Sequence, residues 1–194
     1  MQRFISIGDA YSLTEAEKER VKAVARARTT SNRGAGVNDA GIGPSSGVSK
    51  DMIGCGAEFA FAHLIQSNFD ETIEPRSVAR GEDEGDTAYR GIKIDVKGTH
   101  YPNGKLVVAP WHQGRDQGTI YALMIMTDRT PTFVFKGFAL PNFVYQFPSD
   151  LGHGPTFAVP QERLAEWWHL DAFNPRCQEH EIIVCLDCGD PHFG

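Results

Sequence analysis

Between Ile53 and Ile65 only Glu58 and His63 are strongly polar, a pattern that predicts a helix over Met52–Gln66 buried on most of its faces. Upstream, Leu13 to Arg28 predicts a second helix. Thr14 and Glu17 have capping-box spacing, and alanines and straight-chain charged residues follow without Gly or Pro, so this helix should be solvated on most sides. Beyond residue 86 the pattern changes to short apolar runs. Strands are expected at Thr87–Tyr89, Ile92–Gly98, Leu106–Ala109, Ile120–Thr127 and Thr132–Phe138, separated by turn signals such as Arg90-Gly91 and Pro102-Asn103-Gly104. A short helix opening on proline follows near Pro160–Trp168, and Glu181–Leu186 is strand-like. No internal repeat is present. These elements predict an α/β (α+β) fold, a central mixed β-sheet flanked by helices.

The stretch from Thr29 to Ser49 is rich in Gly, Ser and Asn and predicts a long loop. Loops longer than about 12–15 residues inside compact domains tend to be lids, binding loops or disordered segments, so this one is a candidate for clamping a substrate. The chain's 194 residues suit one domain spanning 1–194, with its core over about 52–140 and an extension over 170–194.

Composition narrows the function classes. Apolar residues are 41% and charged residues 23%, which excludes a disordered chain or a fibre. No run approaches the roughly 20 apolar residues of a membrane span, and Met1-Gln2-Arg3-Phe4-Ile5 lacks the layout of a signal peptide, so no membrane partner and a cytoplasmic location are expected. The net charge of −6 argues against a broadly basic nucleic-acid surface. It leaves room for an enzyme whose carboxylates are neutralised by bound cations. The most basic segment, Arg20, Lys22, Arg26, Arg28 and Arg33, is either an ordinary charged helix face or an arm that contacts phosphates.

The candidate chemistry centres on Ile92-Lys93-Ile94-Asp95-Val96-Lys97. Strand alternation sends Ile92, Ile94 and Val96 to one face and Lys93, Asp95 and Lys97 to the other. A carboxylate can ligate a hard cation while a neighbouring ammonium orients water and offsets charge on a reacting phosphate. A solvated cross-strand charge pattern would produce the same tripeptide. Context adds weight. Glu58 is an acid in a helix too apolar to face water, where a carboxylate needs a cation, a metal or hydrogen-bonding partners. Asp86 precedes Asp95 by a hairpin's length, so the two carboxylates could share one Mg²⁺. Asp83 and Glu84 compete with Asp86 but lie in a more solvated turn.

Glu on a helix, then Asp, then Asp-x-Lys on a strand resembles the PD-(D/E)xK, or restriction-endonuclease-like, nuclease superfamily. The likeness covers about Met52 to Leu140. Gly54-Cys55-Gly56-Ala57-Glu58-Phe59-Ala60 is similar to the helix carrying that family's first acid, and Gly91 to Thr99 to its central strand. The resemblance implies a restriction-endonuclease-like core and a Mg²⁺- or Mn²⁺-dependent deoxyribonuclease. Asp86 and Asp95 would ligate the metal, Lys97 would position the water, and Glu58 would complete the metal shell or hold a ligand. DNA is the implied partner, and a homodimer is a candidate assembly for cutting both strands. Gly85 stands where the family's name has proline.

At the C-terminus, Cys177-x2-His180-x4-Cys185-x2-Cys188 offers two ligand pairs for a structural Zn²⁺, though the spacer Glu181–Val184 is short and strand-like. The alternative has Cys185 packed as a small core residue. Two functional rivals stand beside the nuclease: a non-catalytic nucleic-acid- or protein-binding module that keeps the fold, and a zinc-stapled interaction protein.

Overall fold

The computed structural model describes residues 5–36, 47–71, 73, 86–89, 92–116, 118–127, 131–152 and 154–166. After a short strand β1 (Ala10–Ser12), helix α1 (Glu15–Gly34) starts at the expected cap. Thr14 Oγ1 accepts the Glu17 N–H at 3.3 Å, and Glu17 Oε2 accepts the Thr14 N–H at 2.8 Å. The helix runs six residues past the predicted end at Arg28. Thr29 and Thr30, which read as loop residues, donate their hydroxyls to the carbonyls of Ala25 and Arg26 at 2.8 and 2.9 Å, so their polar groups are satisfied inside the helix.

Helix α2 (Gly47–Leu64) likewise begins five residues before the predicted Met52. The expected 29–49 loop is therefore shortened from both sides, and residues 37–46 lie outside the described set. From Cys55 to Ala62 every residue of α2 is buried, as its apolar pattern predicted. Beyond the helix the chain turns at Gln66, whose φ of 57° is left-handed, while the Ser67 N–H donates back to Ala62 O.

Strands β2 (Thr87–Tyr89), β3 (Ile92–Thr99), β4 (Leu106–Val108), β5 (Thr119–Thr127) and β6 (Thr132–Ala139) fall within a residue of their predicted bounds. A mixed five-stranded sheet has the order β1-β6-β5-β3-β2, with β3 and β5 parallel and the other pairs antiparallel. With its flanking helices this is the α+β layout that the sequence predicted. The parallel pair needs a crossover, and here it carries β4 and a 3-10 turn at Pro110–His112.

Beyond β6 come a one-turn helix α3 (Pro141–Val144) and two strands absent from the sequence reading, β7 (Pro148–Asp150) and β8 (Pro155–Val159). They join β4 in a second, antiparallel sheet of order β4-β8-β7. The helix predicted over Pro160–Trp168 does not form across the described part of that range. A 3-10 turn at Gln161–Arg163 gives way to an extended Leu164, and Ala165 exchanges two backbone hydrogen bonds with Phe138, which engages the groups a helix would need. Glu181–Leu186 and the cysteine/histidine cluster of Cys177, His180, Cys185 and Cys188 lie outside the described residues.

The core has two layers. On one face of the main sheet, Ile94, Val96, Ile120, Met124 and Phe135 pack with Val21, Val24, Phe59 and Phe61 of the helices. On the other, Tyr121, Leu123 and Ile125 pack with Leu106, Val108, Val144 and Val159. Each fully buried aliphatic or aromatic side chain contributes about 1.5–3 kcal/mol. β5 is covered on both faces, hence its unbroken apolar run. No helix among the described residues is long and apolar enough to cross a membrane.

Candidate active site

The even-numbered positions of β3 face α2. Ile94 and Val96 are buried against the helices, and Gly98 lies so close that a Cβ there would stand 2.7 Å from Ala57 Cβ and 2.8 Å from Ile53 O. Asp95 and Lys97 therefore project from the opposite face, on the side of Tyr121. Asp95 is buried to 6% exposure. Lys97 Nζ donates to Asp95 Oδ2 at 2.6 Å and lies 5.7 Å from the centroid of the Tyr121 ring. Tyr121 is the β5 residue in register with Asp95, so Asp95, Lys97 and Tyr121 lie together across one parallel strand pair.

Asp86 enters from the hairpin. Thr87 pairs with Ile94, so Asp86 immediately precedes the paired part of β2, beside the strand that carries Asp95. The Asp86 N–H donates to Ile94 O at 2.9 Å, and Asp86 Oδ2 accepts the Val96 N–H at 2.7 Å. Its carboxylate is thus held, buried, at the point where β2 begins. Asp86 stands at the start of edge strand β2 and Asp95 on the neighbouring β3.

Glu58 is stationed elsewhere. Its Oε2 accepts from Arg28 Nη1 at 2.7 Å, and Arg28 also donates to Asp70 O at 2.7 Å and approaches Cys55 Sγ at 3.4 Å. This cluster belongs to the helix layer, on the other side of the sheet from Asp95 and Lys97. Among the described residues no three His, Cys, Asp or Glu side chains converge closely enough to hold a metal ion. Of the four residues singled out in the sequence, Asp95 and Lys97 bond to each other, Asp86 accepts the Val96 N–H from the adjoining strand, and Glu58 joins Arg28. Arg28 is therefore neither a solvated helix charge nor an outward phosphate contact.

Sequence reasoning missed the acid and the tyrosines beneath Lys97. Asp116, buried to 8% exposure, accepts the Tyr121 hydroxyl at 2.6 Å and also that of Tyr145. Burial, and then the bond to Asp116, push both phenols well above their ordinary pKa, so both stay protonated donors. His112, from the 3-10 turn, sets its ring edge-on to Tyr121 at 6.2 Å. The signal available was an acid five residues ahead of a tyrosine in an apolar strand, since a buried phenol needs a hydrogen-bond partner.

Chemically, the arrangement offers two carboxylates on neighbouring strands with hard oxygen donors, an ammonium anchored to one of them, and an aromatic support. Mg²⁺ is commonly bound through one or two carboxylates while keeping several waters and taking substrate phosphate oxygens, so Asp86 and Asp95 suit it in donor type and number.

Residues 3–173 match the model of a family of unknown function, DUF5843. No curated protein and no solved structure matches the chain.

Proposed function

This chain belongs to the DUF5843 family, and we propose that it is a metal-dependent nuclease that hydrolyses phosphodiester bonds in DNA. The observation that carries the reading is the placement of Asp95, Lys97 and Asp86 on the adjoining strands β3 and β2, with Lys97 bonded to Asp95 at 2.6 Å and Asp86 held against Val96. A restriction-endonuclease-like core belongs to the same proposal. It is supported by the β2–β3 hairpin that carries the acids, by β5 parallel to β3, and by a buried helix preceding them.

Asp86 and Asp95 would hold Mg²⁺ or Mn²⁺, which when bound would lower the pKa of water and neutralise charge on the phosphate. Lys97 has three N–H donors. One is directed at Asp95, which fixes the ammonium beside the metal-binding carboxylate, where it can orient the attacking water and offset charge on a phosphate oxygen. Tyr121 limits where Lys97 can go, because the ammonium rests against its ring. Glu58 has no part in this mechanism; its role is to join the helices through Arg28.

The test is incubation with plasmid, linear duplex, branched and single-stranded DNA, each in Mg²⁺, Mn²⁺ or chelator. Cleavage should require metal and disappear in Asp95→Asn and Lys97→Met, both folded by circular dichroism. Activity retained in both variants would refute the assignment. Absence of cleavage, together with no carboxylate-dependent Mn²⁺ binding by calorimetry, would favour the non-catalytic binding module.

A further inference from the structure

The crossover segment between β4 and β5 exposes an aromatic surface at the margin of this site. Ala109 and Pro110 lead into the 3-10 turn with an extended N-cap, and the turn presents Trp111 to solvent at 46% exposure. A tryptophan left this open is unusual, since tryptophan is highly buried on average. Its ring stacks on His112, with centroids 5.7 Å apart and planes inclined by 29°. His112 in turn stands edge-on to Tyr121, against whose ring the Lys97 ammonium rests. Trp111, His112, Tyr121 and Lys97 thus form one continuous series of contacts from solvent to the candidate catalytic lysine. Gly114, with φ of +82°, then turns the chain, and Arg115 is exposed immediately before the buried Asp116.

We infer that the Pro110–Arg115 turn binds an unpaired nucleobase of the substrate strand, with Trp111 as the stacking surface and Arg115 as a phosphate contact. The inference rests on the nuclease reading for the identity of the ligand and deepens it by naming the substrate class: single-stranded or locally unpaired DNA. Inside a duplex both faces of a base are covered by its neighbours, so a flat side chain fixed on a turn can stack only on a base that is splayed out or terminal. Charge leads to the same class. With a net charge of −6, the protein has little long-range attraction for the dense phosphates of a duplex. Stacking does not depend on net charge, and it tolerates any base sequence.

Binding is measured by fluorescence anisotropy of a labelled, unstructured 15-nucleotide oligodeoxynucleotide and of its duplex, with Ca²⁺ in place of Mg²⁺ and the oligonucleotide checked intact on a gel. The wild type should bind the single strand more tightly than the duplex. Trp111→Ala should weaken single-strand binding by about 5- to 150-fold, the range for losing one stacked base. Trp111→Phe should restore most of it, and Arg115→Ala should weaken binding while making it less salt-dependent. Trp111 is exposed, so these variants should melt with the wild type. Equal single-strand affinity in wild type and Trp111→Ala, or a wild type that prefers duplex or binds neither, overturns the inference. A Trp111 effect on binding without any Mg²⁺-dependent cleavage would overturn the nuclease reading alone, and cleavage indifferent to Trp111 would overturn the stacking surface alone.

Discussion

Arg28 Nη1 and Glu58 Oε2 stand 2.7 Å apart, an ion pair that ties α1 to α2 with 11% and 10% of the two side chains exposed. Removing one partner strands a buried charge, so Arg28→Met should lower unfolding free energy by about 3–5 kcal/mol in urea titrations. Glu58→Gln keeps the size and an acceptor for the guanidinium and should cost less. Its cleavage rate per folded molecule should stay within about threefold of wild type. A Glu58→Gln protein as stable as wild type yet unable to cleave would make Glu58 a metal ligand after all, the role implied by the family resemblance.

Tyr121 supports Lys97 with its ring and Asp116 with its hydroxyl, and two substitutions separate these roles. Tyr121→Phe keeps the ring. It removes one hydrogen bond to a buried carboxylate, which should cost about 1–3 kcal/mol of stability but leave cleavage nearly unchanged. Tyr121→Leu also removes the π-face, so kcat should fall by roughly 2- to 30-fold, the equivalent of one cation–π contact. Loss of activity in Tyr121→Phe equal to that in Tyr121→Leu would show that the hydroxyl, not the ring, matters to Lys97.

The tyrosines also set an alkaline limit on stability. Tyr11 donates to Glu17 Oε1 at 2.7 Å, and burial, that bond and the carboxylate charge push its phenol up to about 12. Tyr121 and Tyr145 move in the same direction. An unfolded tyrosine ionises near about 10, so the unfolded chain releases these protons first as pH rises. The stabilisation is complete below the unfolded pKa and is lost between it and the folded one. The urea midpoint should fall steadily from about pH 10 to about pH 12, and the fall should be shallower in Tyr11→Phe. The same slope in both proteins would remove Tyr11 from the explanation.

What the sequence could show followed the range of its signals. Period-two alternation is local, so Asp95 and Lys97 were legible as neighbours on one face, and the hairpin spacing brought in Asp86. The Arg28–Glu58 pair spans 30 positions and leaves no trace in either helix pattern; only the need of Glu58 for a partner was readable. The end of α1 is not legible because Thr29 and Thr30 carry loop propensity, and their back-bonds to Ala25 and Arg26 form only once the helix exists. β7 and β8 escaped because proline opens each of them and glycines lie between them, and pairing with the distant β4 makes them strands. Asp116 went unnoticed because its partners, Tyr121 and Tyr145, lie on different elements.

At Gly98, the residue after Lys97, β3 lies tight against α2, and this contact links packing to the site. A methyl group there would lie 2.7 Å from Ala57 Cβ and 2.8 Å from the Ile53 carbonyl oxygen, both fixed parts of the helix, so no side-chain rotation can relieve the contact. Strand and helix must move apart, and overpacking of this kind costs about 1–3 kcal/mol. Gly98→Ala should lower the urea midpoint without changing the m-value. Because the strand carrying Lys97 and Asp95 is displaced with it, kcat should drop more than KM rises, since misplacement of the reacting groups acts on the chemical step. Ala57→Gly in the same chain removes the nearer of the two atoms and should recover part of both losses, and a double variant no better than Gly98→Ala alone would mean that the contact with Ala57 is not the cause.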